Sequence, residues 1–117
     1  MREPTYRPLE PLGRREAEEV FRQGLPMEVG HALFRLAWYE QDWKWVRDTC
    51  LRYLASEHER VRYAAAECLS DLARSHPDPT WVPLLSRFRA QLNDPEPSVV
   101  VGLEGAIEFI ERFSLRR

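Results

Sequence analysis

The sequence lacks any apolar run long enough to cross a membrane as a helix, which takes about 18 consecutive apolar residues. Its first residues, Met1-Arg2-Glu3-Pro4, also lack the apolar stretch of a secretory signal. We therefore expect a cytoplasmic protein. The chain has 117 residues, of which 44% are hydrophobic and 31% charged, and this length and composition are typical of one globular domain. A second domain does not fit.

Cysteine and histidine are too few and too scattered for a zinc site, since the chain has 2 Cys and 3 His. Cys50 and Cys68 both lie inside helical patterns where a small apolar side chain is wanted, so we expect them in the core. The pair Glu28-x-x-His31 has the spacing of di-iron ligands. A ferritin-like site needs that motif twice plus two further Glu. We expect neither a metal nor another cofactor.

The chemistry-bearing motifs of enzymes are also missing. The sequence has no Ser/His/Asp grouping, no Gly-rich phosphate loop and no paired-Cys motif. The formal net charge is -2, whereas a dedicated nucleic-acid-binding domain is usually strongly basic. The missing motifs give little support to an enzyme, and the net charge argues weakly against a dedicated nucleic-acid binder.

Strand patterns are absent as well, because the run at 98–101 is short and leads straight into helical periodicity. We predict an all-α chain with an extended Pro-rich lead-in over 1–12 and a single domain over 13–117. Gly24 is placed to end a helix, while Asp42 and Thr80 are placed to cap one. The predicted helices cover about 14–22, 26–39, 43–55, 59–75, 81–92 and 98–113.

The sequence also repeats itself weakly at an offset of 38 residues. Apolar positions in the third and fourth predicted helices coincide with apolar positions in the fifth and sixth. The coinciding pairs are Trp43 with Trp81, Val46 with Leu84, Leu54 with Leu92, Val61 with Val99, Ala65 with Leu103, Leu69 with Ile107, and Leu72 with Ile110. A register that spans two helices and their turn predicts a structural repeat of two antiparallel helices.

The fourth predicted helix carries a resemblance to a known family. Its Val61-Arg62 pair, the alanines at 64–66 and the later Leu69 and Leu72 resemble the second helix of a HEAT repeat. The resemblance covers about 42–113 and implies a short α-solenoid, with the first two helices as a capping pair. Val100 stands where the family's Arg would follow Val, so close packing is less expected in the last repeat.

HEAT-like proteins, by resemblance, line a concave binding side with the second helix of each pair. Three stripes with the spacing i, i+3, i+7 then share one surface, namely Glu28, His31 and Arg35; Glu67, Ser70 and Arg74; and Gly105, Glu108 and Arg112. Tyr63 lies one turn before Glu67 on the same stripe. We expect a partner to contact Arg35, Tyr63, Glu67, Ser70, Arg74, Glu108 and Arg112.

Two interpretations of these stripes stay open. Glu near a helix start and Arg near its end gain a few tenths to about 1 kcal/mol from the helix dipole. Alternatively, Arg35, Arg74 and Arg112 form a ladder that binds carboxylates or phosphates of a partner.

The carboxylates Glu104, Glu108 and Glu111 give the last helix an acidic patch, which a solvated helix face explains more often than a general acid does. Trp45 is either an exposed interface anchor or packs against the preceding pair.

The segment Asp42-Trp43-Lys44-Trp45-Val46, with Cys50-Leu51 and Cys68-Leu69, resembles small bacterial HEAT-like proteins. Some of these act as immunity proteins that cover the active site of a toxin, so the resemblance implies a protein partner of that kind. A regulatory or assembly adaptor is an alternative within protein binding. A nucleic-acid-binding HEAT-like protein is a further alternative, for which Arg35, Arg60, Arg62, Arg74 and Arg112 would supply positive charge.

Overall fold

The computed structural model describes residues 10–115, which are helical from Arg14 onward. Residues 1–9, most of the predicted lead-in, and the basic tail at 116–117 lie outside the described part. The helices are α1 (Arg14–Gln23), α2 (Pro26–Tyr39), α3 (Trp43–Tyr53), α4 (Glu59–Ser75), α5 (Leu85–Ala90) and α6 (Pro97–Phe109). A 3₁₀ turn, Pro79–Leu84, precedes α5, and a π turn, Ile110–Ser114, continues α6. No strand occurs between residues 10 and 115, so the all-α prediction is confirmed over that range.

Most predicted helix ends are confirmed by their end geometry. Gly24 ends α1 in the left-handed region, with φ at 72°, where only glycine is free of a side-chain clash. Pro26 opens α2 at a position where no backbone N–H is needed. The Asp42 carboxylate accepts a hydrogen bond of 3.2 Å from the backbone N–H of Trp45 and so caps α3.

The predicted fifth helix, at 81–92, is wrong in its first turns. Asp78, not Thr80, caps the segment, because its carboxylate accepts a hydrogen bond of 2.8 Å from the backbone N–H of Thr80. The chain then forms a 3₁₀ turn, and α5 begins only at Leu85. Pro83 explains the difference, since it has no N–H to donate to the carbonyl of Pro79 as an α-helix would require.

The helices form two layers, with α4 at the centre. The first-helix layer consists of α1, α3 and α5, and the second-helix layer consists of α2, α4 and α6. Within the second layer α4 packs against both α2 and α6, and it also packs against α3. The predicted apolar stripe of α4 is wholly buried, while Ile107 of α6 is only partly buried. Cys50 and Cys68 are free thiols in the core, as predicted.

The internal repeat is visible as direct contact between equivalent residues. The rings of Trp43 and Trp81 stack with centroids 5.8 Å apart and planes 12° from parallel. The guanidinium of Arg47 lies 5.3 Å from the centroid of each ring and donates a hydrogen bond of 2.7 Å to the Thr80 hydroxyl. The His76 ring stacks on the other side of the cluster, 5.1 Å from Trp43. The offset of 38 residues thus reports the stacking of one helix pair on the next.

A buried ion pair joins the same two helix pairs at their opposite end. Arg62 of α4 donates to both carboxylate oxygens of Asp94, at 3.0 and 3.2 Å, and to the Ser56 carbonyl at 3.0 Å. Its side chain is 14% exposed and that of Asp94 is 5% exposed. Asp94 also accepts from Gln91 and from the backbone N–H of Glu96. Arg62 is therefore committed to the fold and does not supply the positive charge that a nucleic-acid surface would need.

Candidate functional site

The exposed side of α2, α4 and α6 is the candidate binding surface, and we call it the second-helix surface. Because α4 lies between α2 and α6, the three predicted stripes do lie on neighbouring helices. Close approach requires small residues at the contacts. A Cβ added to Gly102 would lie 2.9 Å from the Cβ of Ala66, and one added to Gly30 would lie 3.6 Å from the Cβ of Ala64. The alanine run of α4 thus serves both of its neighbours.

Ser70 belongs to this packing more than to the surface. A Cβ on Gly105 would lie only 2.6 Å from the Ser70 hydroxyl, so α6 covers that side chain directly. Ser70 is half-buried as a result. Any contact it makes with a partner has to pass the edge of α6.

Arg35 is held by the lead-in segment. Its guanidinium donates hydrogen bonds of 2.8 Å to the Glu10 carbonyl and 3.1 Å to the Pro11 carbonyl. Leu12 follows and is buried in the core. Residues 10–12 are therefore packed against the domain, and a partner that used Arg35 would have to displace two hydrogen bonds. The sequence boundary at 12/13, which the structure does not test, stays a prediction.

Arg74 and Arg112 are exposed, but each faces a carboxylate on its own helix. Arg74 lies 3.5 Å from Asp71, and Arg112 lies 3.3 Å from Glu108. The spacings are i, i+3 and i, i+4, at which exposed pairs contribute a few tenths of a kcal/mol. This geometry favours the helix-electrostatics interpretation of the stripes over a ladder of free guanidinium groups.

Tyr63 is 39% exposed and lines a cleft of about 510 Å³ between the N-terminal ends of α4 and α6. The other lining residues are Glu59, Arg60, Glu96 and Ser98. The ring centroid of Tyr63 lies 6.2 Å from that of Phe34 on α2, which holds the aromatic side chain in place. Tyr63 thus combines exposure with a supported position, as aromatic contact residues at interfaces often do.

Two carboxylates meet in this cleft. The side chains of Glu59 and Glu96 lie within hydrogen-bonding reach of each other. The pKa of Glu96 is held below its ordinary value first by the hydrogen bond with Glu59 and then by the Ser98 hydroxyl, while burial and Asp94 oppose the shift. The cleft therefore keeps a negative charge at neutral pH. Sequence reasoning missed Glu59 and Glu96, because they lie at two helix starts 37 positions apart and only the fold brings them together.

Trp38 is a surface residue that is not among the contact residues predicted from the sequence. It is 62% exposed and borders a cleft of about 340 Å³ whose walls include Ala37, Asp71, Arg74 and His76. Its position three residues after Arg35 places it on the polar stripe of α2, and that was the available signal. The exposed Trp38 extends the aromatic character of the second-helix surface beyond Tyr63.

Trp45, unlike Trp38, does not lie on the exposed surface. It is partly buried against the core, and the guanidinium of Arg14 lies 4.4 Å above its ring. Trp45 thus packs against the preceding helix pair and is held there by a cation–π contact. Thr49, one turn after Trp45, is buried and donates a hydrogen bond of 2.8 Å to the Trp45 carbonyl.

Other kinds of site find little support in the part of the chain that the structure describes. Glu28 and His31 are both exposed on α2, and no group of three or more His, Cys, Asp or Glu is arranged to hold a metal ion within residues 10–115. Each buried side-chain nitrogen and oxygen in that range has a hydrogen-bond partner. None of the helices described is long and apolar enough to cross a membrane.

The antiparallel pairs, the stacked equivalent tryptophans and the exposed second-helix surface define a helical-repeat protein. Comparison with known proteins specifies the repeat, since residues 46–76 match the HEAT repeat family. No curated protein matches the chain in sequence. Among solved structures, the chain is similar to one chain of a CDI complex from Cupriavidus taiwanensis LMG 19424. The two share 20% identity with a TM-score of 0.74, over 97% of this chain and 98% of the other. The fold is that of a short α-solenoid, with a match to the HEAT repeat over residues 46–76.

Proposed function

We propose that this protein is a non-enzymatic, cytoplasmic protein-binding module whose second-helix surface docks a bacterial toxin domain and blocks it, as an immunity protein does. The observation that carries the proposal is the end-to-end likeness to a chain of a CDI complex, where CDI denotes contact-dependent inhibition by a toxin with its immunity protein. The likeness covers 97% of this chain and 98% of the other. At 20% identity the likeness shows a shared fold. That the two chains also bind the same kind of partner is our proposal.

The surface residues support binding of a protein over binding of nucleic acid. Tyr63 and Trp38 are exposed aromatic residues of the kind enriched at protein interfaces. Of the arginines that would supply a positive groove, Arg62 is buried in an ion pair and Arg35 is bound to the lead-in. We propose Tyr63, Glu67, Arg74, Glu108 and Arg112 as contact residues, with Arg35 and Ser70 at the margins.

The proposal predicts that a gene beside this one encodes a toxin-like domain, and it is tested in growing cells with that domain. Induction of that domain alone should arrest growth, and coexpression of this protein should restore it through formation of a stable complex. If the two proteins form a complex but growth stays arrested, the adaptor alternative replaces the immunity proposal. If no complex forms and tRNA or DNA binds tightly with a steep salt dependence, the protein-binding proposal is overturned in favour of nucleic acid.

Tyr63→Ala should weaken that complex by about tenfold or more, which corresponds to about 1.4 kcal/mol, because a supported aromatic side chain would be removed from the contact. Isothermal titration calorimetry measures the change. Arg52→Ala, on the exposed side of α3, is the matched control and should bind as the wild type does. Melting temperatures should stay close to the wild-type value for both variants. Should Arg52→Ala weaken the complex while Tyr63→Ala does not, the partner binds the first-helix layer.

A further inference from the structure

Charge is divided unequally between the two layers of the solenoid. In the last two helix pairs the first helices, α3 and α5, with the residues that cap α3 and the 3₁₀ turn, carry Lys44, Arg47, Arg52, Arg87 and Arg89 against Asp42, Asp48 and Asp78. The second helices, with the residue before α6 and the π turn after it, carry an excess of carboxylates. These are Glu59, Glu67, Asp71, Glu96, Glu104, Glu108 and Glu111, against Arg60, Arg74 and Arg112 outside the buried Arg62–Asp94 pair. The net charge of -2 hides this separation.

Internal ion pairs sharpen the difference. Arg74 is neutralised by Asp71 and Arg112 by Glu108, while Glu111 is paired with Arg89 of α5. Within residues 10–115, no ion pair is made by Glu59, Glu67, Glu96 or Glu104. On the same surface Arg60 is left as the cation to balance them. The α4–α6 side of the second-helix surface is thus acidic, and we call it the acidic face.

The cleft beside Tyr63 is a concave part of the negatively charged acidic face. Glu59, at the start of α4, and Glu96, just before α6, both line this cleft. A cation that enters the cleft can contact both carboxyl groups. A guanidinium has the planar donor geometry that suits two carboxylates, and it stacks on the face of a tyrosine ring.

We propose that the acidic face docks a basic surface of the partner protein, with an arginine side chain of the partner entering the cleft between Glu59 and Glu96. This inference rests on the proposed function for the identity of the partner, and it adds the sign of the partner's surface. It is the opposite of an arginine ladder that binds carboxylates or phosphates. Complementary charge of this kind speeds association more than it slows dissociation.

The first test uses the purified toxin-like domain of the neighbouring gene and measures association rates at 50 and 200 mM salt. The double variant Glu67→Lys/Glu104→Lys should associate at least about tenfold more slowly at 50 mM and with a weaker salt dependence. Both positions lack an internal ion pair, and the neutral Glu67→Gln/Glu104→Gln variant should give an intermediate rate. Glu18→Lys, an exposed carboxylate of α1, should associate as the wild type does.

Unchanged association of the double variants would overturn the inference while the complex itself still supports the proposed function. A second arm needs no natural partner. Hexa-arginine, added to the ¹⁵N-labelled protein at low salt, should shift amide signals around Tyr63, Glu59 and Ser98, and hexa-glutamate should shift signals of α3 and α5 instead. If hexa-arginine shifts signals mainly outside α4 and α6, the acidic face does not select basic side chains. Failure of the toxin domain to bind would count against the proposed function and leave this arm to decide the inference.

Discussion

Arg62→Ala should destabilise the protein by about 3 to 5 kcal/mol, which is the usual cost of removing one partner from a buried ion pair. The loss is large because Asp94 would remain buried without its counter-ion, and because the Ser56 carbonyl would lose a hydrogen bond of 3.0 Å at the same time. Since ordinary domains are stable by about 5 to 15 kcal/mol, the variant should be close to unfolding. Urea denaturation followed by circular dichroism measures the free energy of unfolding.

Arg60→Ala is the matched control, since Arg60 is an exposed arginine two residues earlier on the same helix. Its free energy of unfolding should lie within about 0.5 kcal/mol of the wild-type value. The double variant Arg62→Ala/Asp94→Ala should lose less than the sum of the two single losses, because it leaves no unpaired charge. Equal losses for Arg60→Ala and Arg62→Ala would mean that the ion pair does not tie the two repeats together.

The same pair predicts a pH dependence. Burial raises the pKa of Asp94, but hydrogen bonds from the Glu96 backbone, Arg62 and Gln91 outweigh it and hold the pKa below its ordinary value. A lowered pKa in the folded state contributes stability above the unfolded pKa of about 3.9, and this contribution is lost as the pH falls through the folded value. As the pH falls below 5, the free energy of unfolding of the wild-type protein should therefore decrease more than that of Arg62→Ala, which lacks the ion pair at every pH.

Leu69→Ala should cost about 2 to 5 kcal/mol, because Leu69 is fully buried at the centre of α4 and its removal leaves a cavity among helices on several sides. Neighbouring helices are already in contact through Gly102 and Ala66, so they cannot close in further to fill the space. The free energy of unfolding from denaturant titration checks the loss.

Leu25→Ala provides the comparison for Leu69→Ala, because Leu25 is the same residue type at 52% exposure. The expected change is within about 0.5 kcal/mol. A loss below about 1 kcal/mol for Leu69→Ala would show that the apolar stripe of α4 does not form the core.

Much of the fold could be predicted from local patterns. Pro26, Gly24 and Asp42 each act on the backbone within one turn of their own position, so their effect is readable without knowledge of the tertiary structure. The stacking of Trp43 on Trp81 was foreshadowed by the repeat, since equivalent residues of neighbouring helix pairs meet in a solenoid. The 3₁₀ turn was missed because apolar spacing over 81–92 does not report the backbone donor that Pro83 lacks inside that turn.

The surface was harder to predict, because exposed side chains choose partners that the periodicity does not reveal. Helical spacing placed Arg35 and Arg74 correctly on one side of their helices. It could not show that Arg35 would donate to carbonyls of the lead-in, or that Glu59 would meet Glu96. Both contacts join residues distant in sequence, and only the packed helices define them. The arginine ladder therefore stays a prediction from spacing, and on α4 and α6 the carboxylates without an ion pair outnumber the guanidinium groups without one.

The most direct test of the account is a map of amide hydrogen exchange for this protein, free and in complex with the toxin-like domain of the neighbouring gene. Binding to the second-helix surface predicts slower exchange in α4 and α6, including the segment around Tyr63 and Glu96, with α1 and α3 unchanged. Slower exchange confined to α1, α3 and α5, or no change at any segment, would contradict the proposed site.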